Sequence, residues 1–397
     1  MCEHTRTVRL GDVTVKIGSG ATPRGGSSVY IDTGIALIRS QNVDDCRFVS
    51  DGLAHIDDLA AKALDGVAIA KGDVLLNITG ESVARCCLVP DTVLPARVSQ
   101  HVMIIRPDTR ALDSRYLHAL LVDPRMKSHL LALAGSGATR PALTKSHIAG
   151  LQLDLPPLSE QQAIGEVLGA LDDKIEANRR SVETVERLAI DASWSTMATT
   201  TVGEVAEVHR DFVAPSVFAN QEVEHFSLPA FDGSRLPRVE NGAAIKSGKF
   251  LLNGPTVLVS KLNPHIPRVW MAVPTGSRSA VTSTEFVGLV PSHDYPVEVL
   301  WALCASAQFS SQLAEMVRGT TGSHQRVSVD DVLALKVPDP EALGEELMGV
   351  ITAAVGLAGV LRKESICLAM LRAVLLPKLL SGDLQVRDQE SLVARAV

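Results

Sequence analysis

Leu151-Gln152-Leu153-Asp154-Leu155-Pro156-Pro157 runs directly into a helical stretch with apolar residues at Ile164, Leu168, Leu171, Ile175, Val182, Val185 and Ala189. Leu333-Ala334-Leu335-Lys336-Val337-Pro338 does the same ahead of Leu343, Leu347, Val350, Ala354, Leu357, Leu361, Leu368, Leu371 and Leu375. In both, strand-like alternation stops at proline, and steps of four and three residues take over. Each helix skips one apolar position, at Asn178 and at Glu364. Two strand–proline–heptad endings in one chain predict a duplicated architecture.

Working outward, three blocks repeat in the same order. Gly72-Asp73-Val74-Leu75-Leu76-Asn77 matches Gly248-Lys249-Phe250-Leu251-Leu252-Asn253, and Tyr116-Leu117-His118-Ala119-Leu120 matches Val299-Leu300-Trp301-Ala302-Leu303. Gly135, Thr139, Leu143, Thr144, Ile148 and Leu151 match Gly319, Ser323, Val327, Ser328, Val332 and Leu335 at a constant offset of 184. Residues 7–155 and 201–337 are rich in Gly, Pro and β-branched residues. The short runs Val74–Ile78, Val102–Arg106, Thr256–Val259 and Phe286–Val290 predict strands bounded by turns. The expected fold class is α/β of the α+β kind: two tandem domains of mixed strands and short helices, separated by two long helices. Helices of about 30 residues are roughly 45 Å long. They bury their stripes most simply by pairing as an antiparallel coiled coil, with a domain at each end and an approximate two-fold relation. The simpler alternative is that each helix packs only on its own domain.

At 397 residues, with 46% hydrophobic, 21% charged and 4% aromatic residues, the composition is that of a globular chain with ample core. The N-terminus has no apolar run of the secretory kind, and no stretch of about 18 uncharged apolar residues is found. Cys2, Cys46, Cys86, Cys87, Cys304 and Cys367 are scattered apart from one adjacent pair, so free thiols in a reducing cytoplasm are expected, with Cys86 and Cys87 filling core space and no zinc site. The net charge of -7 excludes a simple polyanion-coating protein. Its distribution is uneven. Residues 158–197 hold four Lys and Arg against eight Asp and Glu, whereas two windows have no acid. Window 124–153 carries Arg125, Lys127, His129, Arg140, Lys145 and His147; window 241–284 carries Lys246, Lys249, Lys261, His265, Arg268 and Arg278. A local cationic stretch in each half is what a nucleic-acid face needs, although chance segregation produces such windows too.

The segment Leu155-Pro156-Pro157-Leu158-Ser159-Glu160-Gln161-Gln162-Ala163-Ile164, continuing through Leu171-Asp172-Asp173-Lys174-Ile175-Glu176-Ala177-Asn178, resembles the central conserved region of type I restriction-modification specificity subunits. Leu375-Leu376-Pro377-Lys378-Leu379-Leu380-Ser381-Gly382-Asp383 resembles the end of their second conserved helix. Gly18-Ser19-Gly20-Ala21-Thr22-Pro23 and Ser260-Lys261-Leu262-Asn263-Pro264-His265 resemble segments of their target recognition domains. The second repeat departs from the pattern: it reads Pro338-Asp339-Pro340-Glu341-Ala342-Leu343, without the Pro-Pro-Leu-x-Glu-Gln form. The resemblance implies a first recognition domain at 1–157, a central helix at 158–197, a second recognition domain at 198–339, a second helix at 340–384 and a tail at 385–397. It further implies a non-catalytic subunit that reads a bipartite sequence in double-stranded DNA. Such a subunit docks two methylation subunits and, where present, restriction subunits; it binds no cofactor, and S-adenosylmethionine, ATP and Mg belong to its partners.

The residues themselves agree. No Lys stands in register after Gly18 and Gly20 for a phosphate-binding loop, and Asn263-Pro264 is followed by His265-Ile266 instead of the aromatic pair of an adenine-methylating tetrapeptide. Asp44-Asp45 and Asp57-Asp58 are expected to be solvated turns. Candidate DNA-contacting residues are Ser19, Thr22, Arg24, Arg39, Asn42, Thr79, Arg85, Thr139 and Arg140 in the first half, and Lys261, Asn263, His265, Arg268, His324, Gln325 and Arg326 in the second. Arg suits guanine, Asn and Gln suit adenine, and Lys, Ser and Thr suit phosphates. Two other readings stay open: a duplicated coiled-coil adaptor for protein partners, and an enzyme of unrecognised type. The acidic helix faces at Glu160, Glu166, Asp172, Asp173 and Glu183 suit basic partner surfaces, and solvated coil positions explain them equally well.

Overall fold

The computed structural model describes residues 5–135, 141–233, 235–317 and 325–386. The chain divides into two compact units, Met1–Ala177 with Glu364–Val397, and Asn178–Lys363. The central helix, Leu158–Ser193, and the C-terminal helix, Gly344–Leu380, each give one half of their length to each unit.

In the first unit the strands are β1 (Arg6–Arg9), β2 (Thr14–Ser19), β3 (Ile35–Ile38), β4 (Ala54–Ile56), β5 (Val74–Asn77), β6 (Cys86–Leu88), β7 (Ala96–Val98), β8 (Val102–Pro107) and β9 (Gln152–Leu155). A four-stranded sheet has the order β2-β8-β5-β6, beside a three-stranded sheet β4-β3-β7 and the pair β1-β9. All four residues of β5 are buried, because the sheet is covered on both faces. Alternation splits them: Val74 and Leu76 join Met103 and Ile105 in one core, and Leu75 joins Ile104 and Cys87 in the other. The adjacent Cys86 and Cys87 therefore fill opposite cores.

Helices α1 (Ser114–Val122), α2 (Pro124–Gly135) and α3 (Lys145–Ala149) cover the first core. Asp113 caps α1 by accepting from the Tyr116 amide, and α1 buries Tyr116, Leu117 and Leu121. Ile164 and Leu168 of the central helix meet Leu376 and Leu379 of the C-terminal helix in this same core. Gln161 is buried, accepts from the Asp113 amide at 3.1 Å and donates to Pro156 O at 2.9 Å, which fixes where the helix leaves the domain. Gly165 lets α1 approach: a Cβ there would stand 2.7 Å from Asp113 Oδ1. Arg372 pairs with Asp172 at 2.6 Å, and Arg115 with Asp173 at 2.8 Å. Asp172 is thus engaged inside the unit, whereas Asp173 stays 67% exposed beside Arg115 on the acidic face expected of it. Asp44 and Asp45 are also ion-paired, with Arg85 and Lys127, and Asp57 caps a helix.

The second unit repeats this plan. Its strands are β10 (Thr199–Thr201), β11 (Ala206–His209), β12 (Phe212–Val213), β13 (Glu222–Phe226), β14 (Arg238–Asn241), β15 (Lys249–Leu252), β16 (Thr256–Ser260), β17 (Val269–Ala272), β18 (Ser279–Thr282), β19 (Phe286–Pro291) and β20 (Lys336–Pro338). The order β11-β19-β16-β17 matches β2-β8-β5-β6, and β10-β20 matches β1-β9. Helices α4 (Val297–Cys304), α5 (Ala307–Glu315) and α6 (Val329–Leu333) follow as α1 to α3 do. The second sheet is wider, with order β12-β15-β18-β13-β14, and its β14-β13-β18 part repeats β4-β3-β7, including one parallel pairing.

One expected correspondence is corrected. The true partner of Val74–Asn77 is β16, since Leu75 pairs with Ile104 as Leu258 pairs with Gly288. Lys249–Leu252 of the second block forms β15, an added strand of the other sheet. A glycine turn followed by an apolar run describes any buried strand, so that pattern could not separate the two.

The long helices also differ from expectation in one respect. The central helix buries Ile164, Leu168, Val182 and Ala189 as its heptads predict, with Asn178 buried at the skipped position. In the C-terminal helix the buried row passes through Ile351, Ala354, Ala358, Leu376 and Leu379, while Val350, Leu357 and Leu371 are 43%, 47% and 47% exposed. The expected seam is therefore half right. Residues 347, 354, 361, 368 and 375 belong to both patterns, but their partners sit one position later, at 351, 358, 365 and 372. Two apolar rows also explain why Pro340–Leu380 is long and apolar enough to cross a membrane by length and composition, although no unbroken apolar run of that length exists. In the first unit the helix segments run in opposite directions, since Asp172 pairs with Arg372 and Lys174 with Glu364; in the second, Glu186 pairs with Arg362.

Candidate nucleic-acid interface

At one end of each four-stranded sheet, three loops are tied by the same backbone hydrogen bonds. In the first unit the Ile78 amide donates to His101 O at 3.0 Å, the Leu143 amide donates to Ile78 O at 2.9 Å, and Thr79 bridges Ala142. In the second, the Lys261 amide donates to Glu285 O at 2.8 Å, the Val327 amide donates to Lys261 O at 3.2 Å, and Leu262 bridges Arg326. The frame is duplicated; the side chains on it are not. Thr79 Oγ1 lies 2.7 Å from His101 Nδ1, and Gln100 Nε2 lies 3.2 Å from His101 Nε2. An amide nitrogen can only donate, so His101 Nε2 accepts and its Nδ1–H donates to Thr79. On the other frame Arg326 Nη2 donates to Glu285 Oε1 at 2.9 Å.

The Gly18–Pro23 loop reaches the first frame because Gly20 has no side chain. Its amide donates to Val102 O, the Ala21 amide donates to Val98 O, and a Cβ on Gly20 would lie 2.1 Å from Val98 O. Ser19, Thr22 and Arg24 are exposed on this loop. Asn77, buried at the end of β5, donates to Ser40 O at 2.8 Å and Val43 O at 3.1 Å, tying a fourth turn to the same place.

The expected contact residues separate accordingly. Ser19 and Thr79 in the first unit and Lys261, Asn263, Gln325 and Arg326 in the second are brought onto the frames; the Asn263 amide donates to Gln325 O at 2.9 Å. His265 is exposed on the turn just beyond. Asn42 is fully buried, with its amide spent on Arg39 N, Val49 O and Asp51 O, so it shapes its turn and presents nothing outward. Arg39 lies over the Tyr30 ring and donates to Gly52 O, and Arg85 faces Asp44 at 3.4 Å. Arg268 is held by Asp232 through two bonds of 2.6 and 2.8 Å and is only 11% exposed. Thr139, Arg140 and His324 lie outside the described residues.

The acid-free windows of sequence are not acid-free in space, for Lys127, Arg268 and Arg278 meet Asp45, Asp232 and Glu222 from elsewhere, and Lys249 is buried against Ser247. Gln100, His101 and Glu285 were missed by sequence reasoning. Their signal was the offset of 184 between His101 and Glu285, hidden because the two side chains share no chemistry.

A family described as the type I restriction modification DNA specificity domain matches residues 4–187. Residues 4–187 therefore carry a type I restriction-modification DNA specificity domain. It is 28% identical over 156 residues to the type I restriction enzyme HindI specificity subunit of Haemophilus influenzae, covering 39% of this chain and 34% of that one. It is 27% identical over 178 residues to the MjaIX specificity subunit of Methanocaldococcus jannaschii, covering 44% and 40%. These matches span well under half the length of the curated relatives. The crystal structure of a type I restriction-modification S subunit from M. genitalium aligns over 95% of this chain and 96% of that one, with a TM-score of 0.59 at 14% identity. The specificity-subunit fold thus extends through the second unit, beyond the part that the family description matches.

Proposed function

We propose that this chain reads a bipartite sequence in duplex DNA, one half-site per unit, and docks methylation subunits, two in number, together with restriction subunits where they exist. The observation that carries the reading is the duplicated three-loop frame. Identical backbone bonds hold different donors and acceptors, which is what two unlike half-sites require of one fold. Docking is supported by the second apolar row of the C-terminal helix, where Val350, Leu357 and Val360 in one unit and Leu371 and Val374 in the other stand exposed. The chain is a recognition subunit and not an enzyme; S-adenosylmethionine, ATP and Mg act on its partners, in the cytoplasm.

In this reading the long helices set the unread gap, and adding one helical turn within residues 175–189 changes its length. Sequencing of methylated positions in a host carrying the chain with its methylation subunits tests this: a split motif whose gap shifts supports it, and an unshifted gap refutes the spacer role. The exposed apolar row also favours the adaptor reading. Failure of the assembled complex to bind duplex DNA at any salt concentration would select that reading instead.

A further inference from the structure

Resting on the DNA-reading assignment, we propose that Arg326 reads a guanine in the half-site of the second unit, and that Glu285 is the positioning residue that aims it. Arg326 is fixed from both sides. Its own backbone bridges Leu262, the next amide donates to Lys261 O, and the preceding carbonyl accepts from Asn263. Base reading needs this, because a bidentate contact tolerates little backbone drift. The Arg326 side chain is 56% exposed, and Glu285, 30% exposed, engages Nη2. A guanidinium has five N–H donors, so this contact leaves the pair that guanine O6 and N7 require. A carboxylate at its side restrains the rotamer that a free arginine on a loop would lose on binding. The equivalent position in the first unit is Ala142, whose methyl group can touch only a thymine methyl. There the readable amide is moved to Gln100, which His101 holds as Glu285 holds Arg326. The two frames therefore cannot read the same base at this position.

An exposed ion pair of this kind contributes little to folding, so its removal leaves the unit intact. The test uses the complex with its methylation subunits and duplexes carrying each base pair at every position of the second half-site. Arg326→Ala is expected to lower discrimination at one G·C pair by roughly 10- to 100-fold and to leave the first half-site unchanged. Arg326→Lys keeps the charge, loses the fork, and shows most of the same loss. Glu285→Gln shows a smaller loss at the same pair, with the salt dependence unchanged. Unchanged discrimination in Arg326→Ala overturns the proposal. So does a loss spread evenly over all sequences with a shallower salt slope, the signature of a phosphate contact. If the unaltered complex shows no split sequence preference, the DNA-reading assignment itself fails, and this inference with it.

Discussion

Replacing Ile351 and Leu357 by alanine, one at a time, tests which row of the C-terminal helix holds the second unit together. Ile351 is fully buried among the residues that include Val355, Ala189 and Trp301. Ile351→Ala removes that side chain and leaves a cavity, at a cost of about 2–5 kcal/mol. Better helix propensity returns roughly 0.4 kcal/mol of it. Leu357 is 47% exposed. Only about half of a leucine's burial, roughly 1 kcal/mol, is lost there, and no closed cavity is left. The gap between the variants should be about 2 kcal/mol, near a thirty-fold change in the folded-to-unfolded ratio. Trp194, Trp270 and Trp301 are the only tryptophans of the chain and all lie in Asn178–Lys363, so urea unfolding followed by tryptophan fluorescence reports this unit alone. Equal costs for the two variants, or a larger cost for Leu357→Ala, would refute the assignment of the buried row. In reconstitution with methylation subunits the order should invert: Leu357→Ala with Val360→Ala weakens assembly while the isolated chain stays folded.

His118 is buried, and burial foremost, with help from the Arg372 charge, pushes its pKa down to about 4. The unfolded chain then binds the extra proton between about pH 6.5 and 4, so stability falls as pH drops through that window, by about 3 kcal/mol in all for this residue. Circular-dichroism melts at stepped pH should show the loss, and His118→Gln should flatten it in part, His225 being shifted the same way in the other unit. Asp73 is fully buried and takes two bonds from Arg106, at 2.7 and 2.8 Å. Asp73→Ala should cost about 3 kcal/mol or more, and adding Arg106→Met should recover part of it in a double-mutant cycle; strict additivity would contradict the pairing. Gly20→Ala forces the loop away from Val98 and should cost about 2 kcal/mol, with faster amide exchange at Ala21 as the check.

The sequence by itself determined a good deal. Proline after an alternating run, then heptads, announced both long helices and the duplication. Offsets near 184 located the blocks Tyr116–Leu120 and Gly135–Leu151 and their copies, which fold into α1 and around α3, because their buried positions are written in local spacing. The seam of the C-terminal helix could not be read the same way. Val350, Leu357 and Leu371 make as regular a row as Ile351, Ala358 and Arg372, and periodicity alone cannot rank two apolar rows one residue apart. Arg372 belongs to the buried row because Asp172, two hundred residues earlier in sequence, supplies its counter-charge at 2.6 Å. The reading site was hidden for a similar reason. His101 and Glu285 resemble each other in nothing but position. What makes them equivalent is the carbonyl each offers to the strand end beside it, a relation that exists only once the sheet has formed.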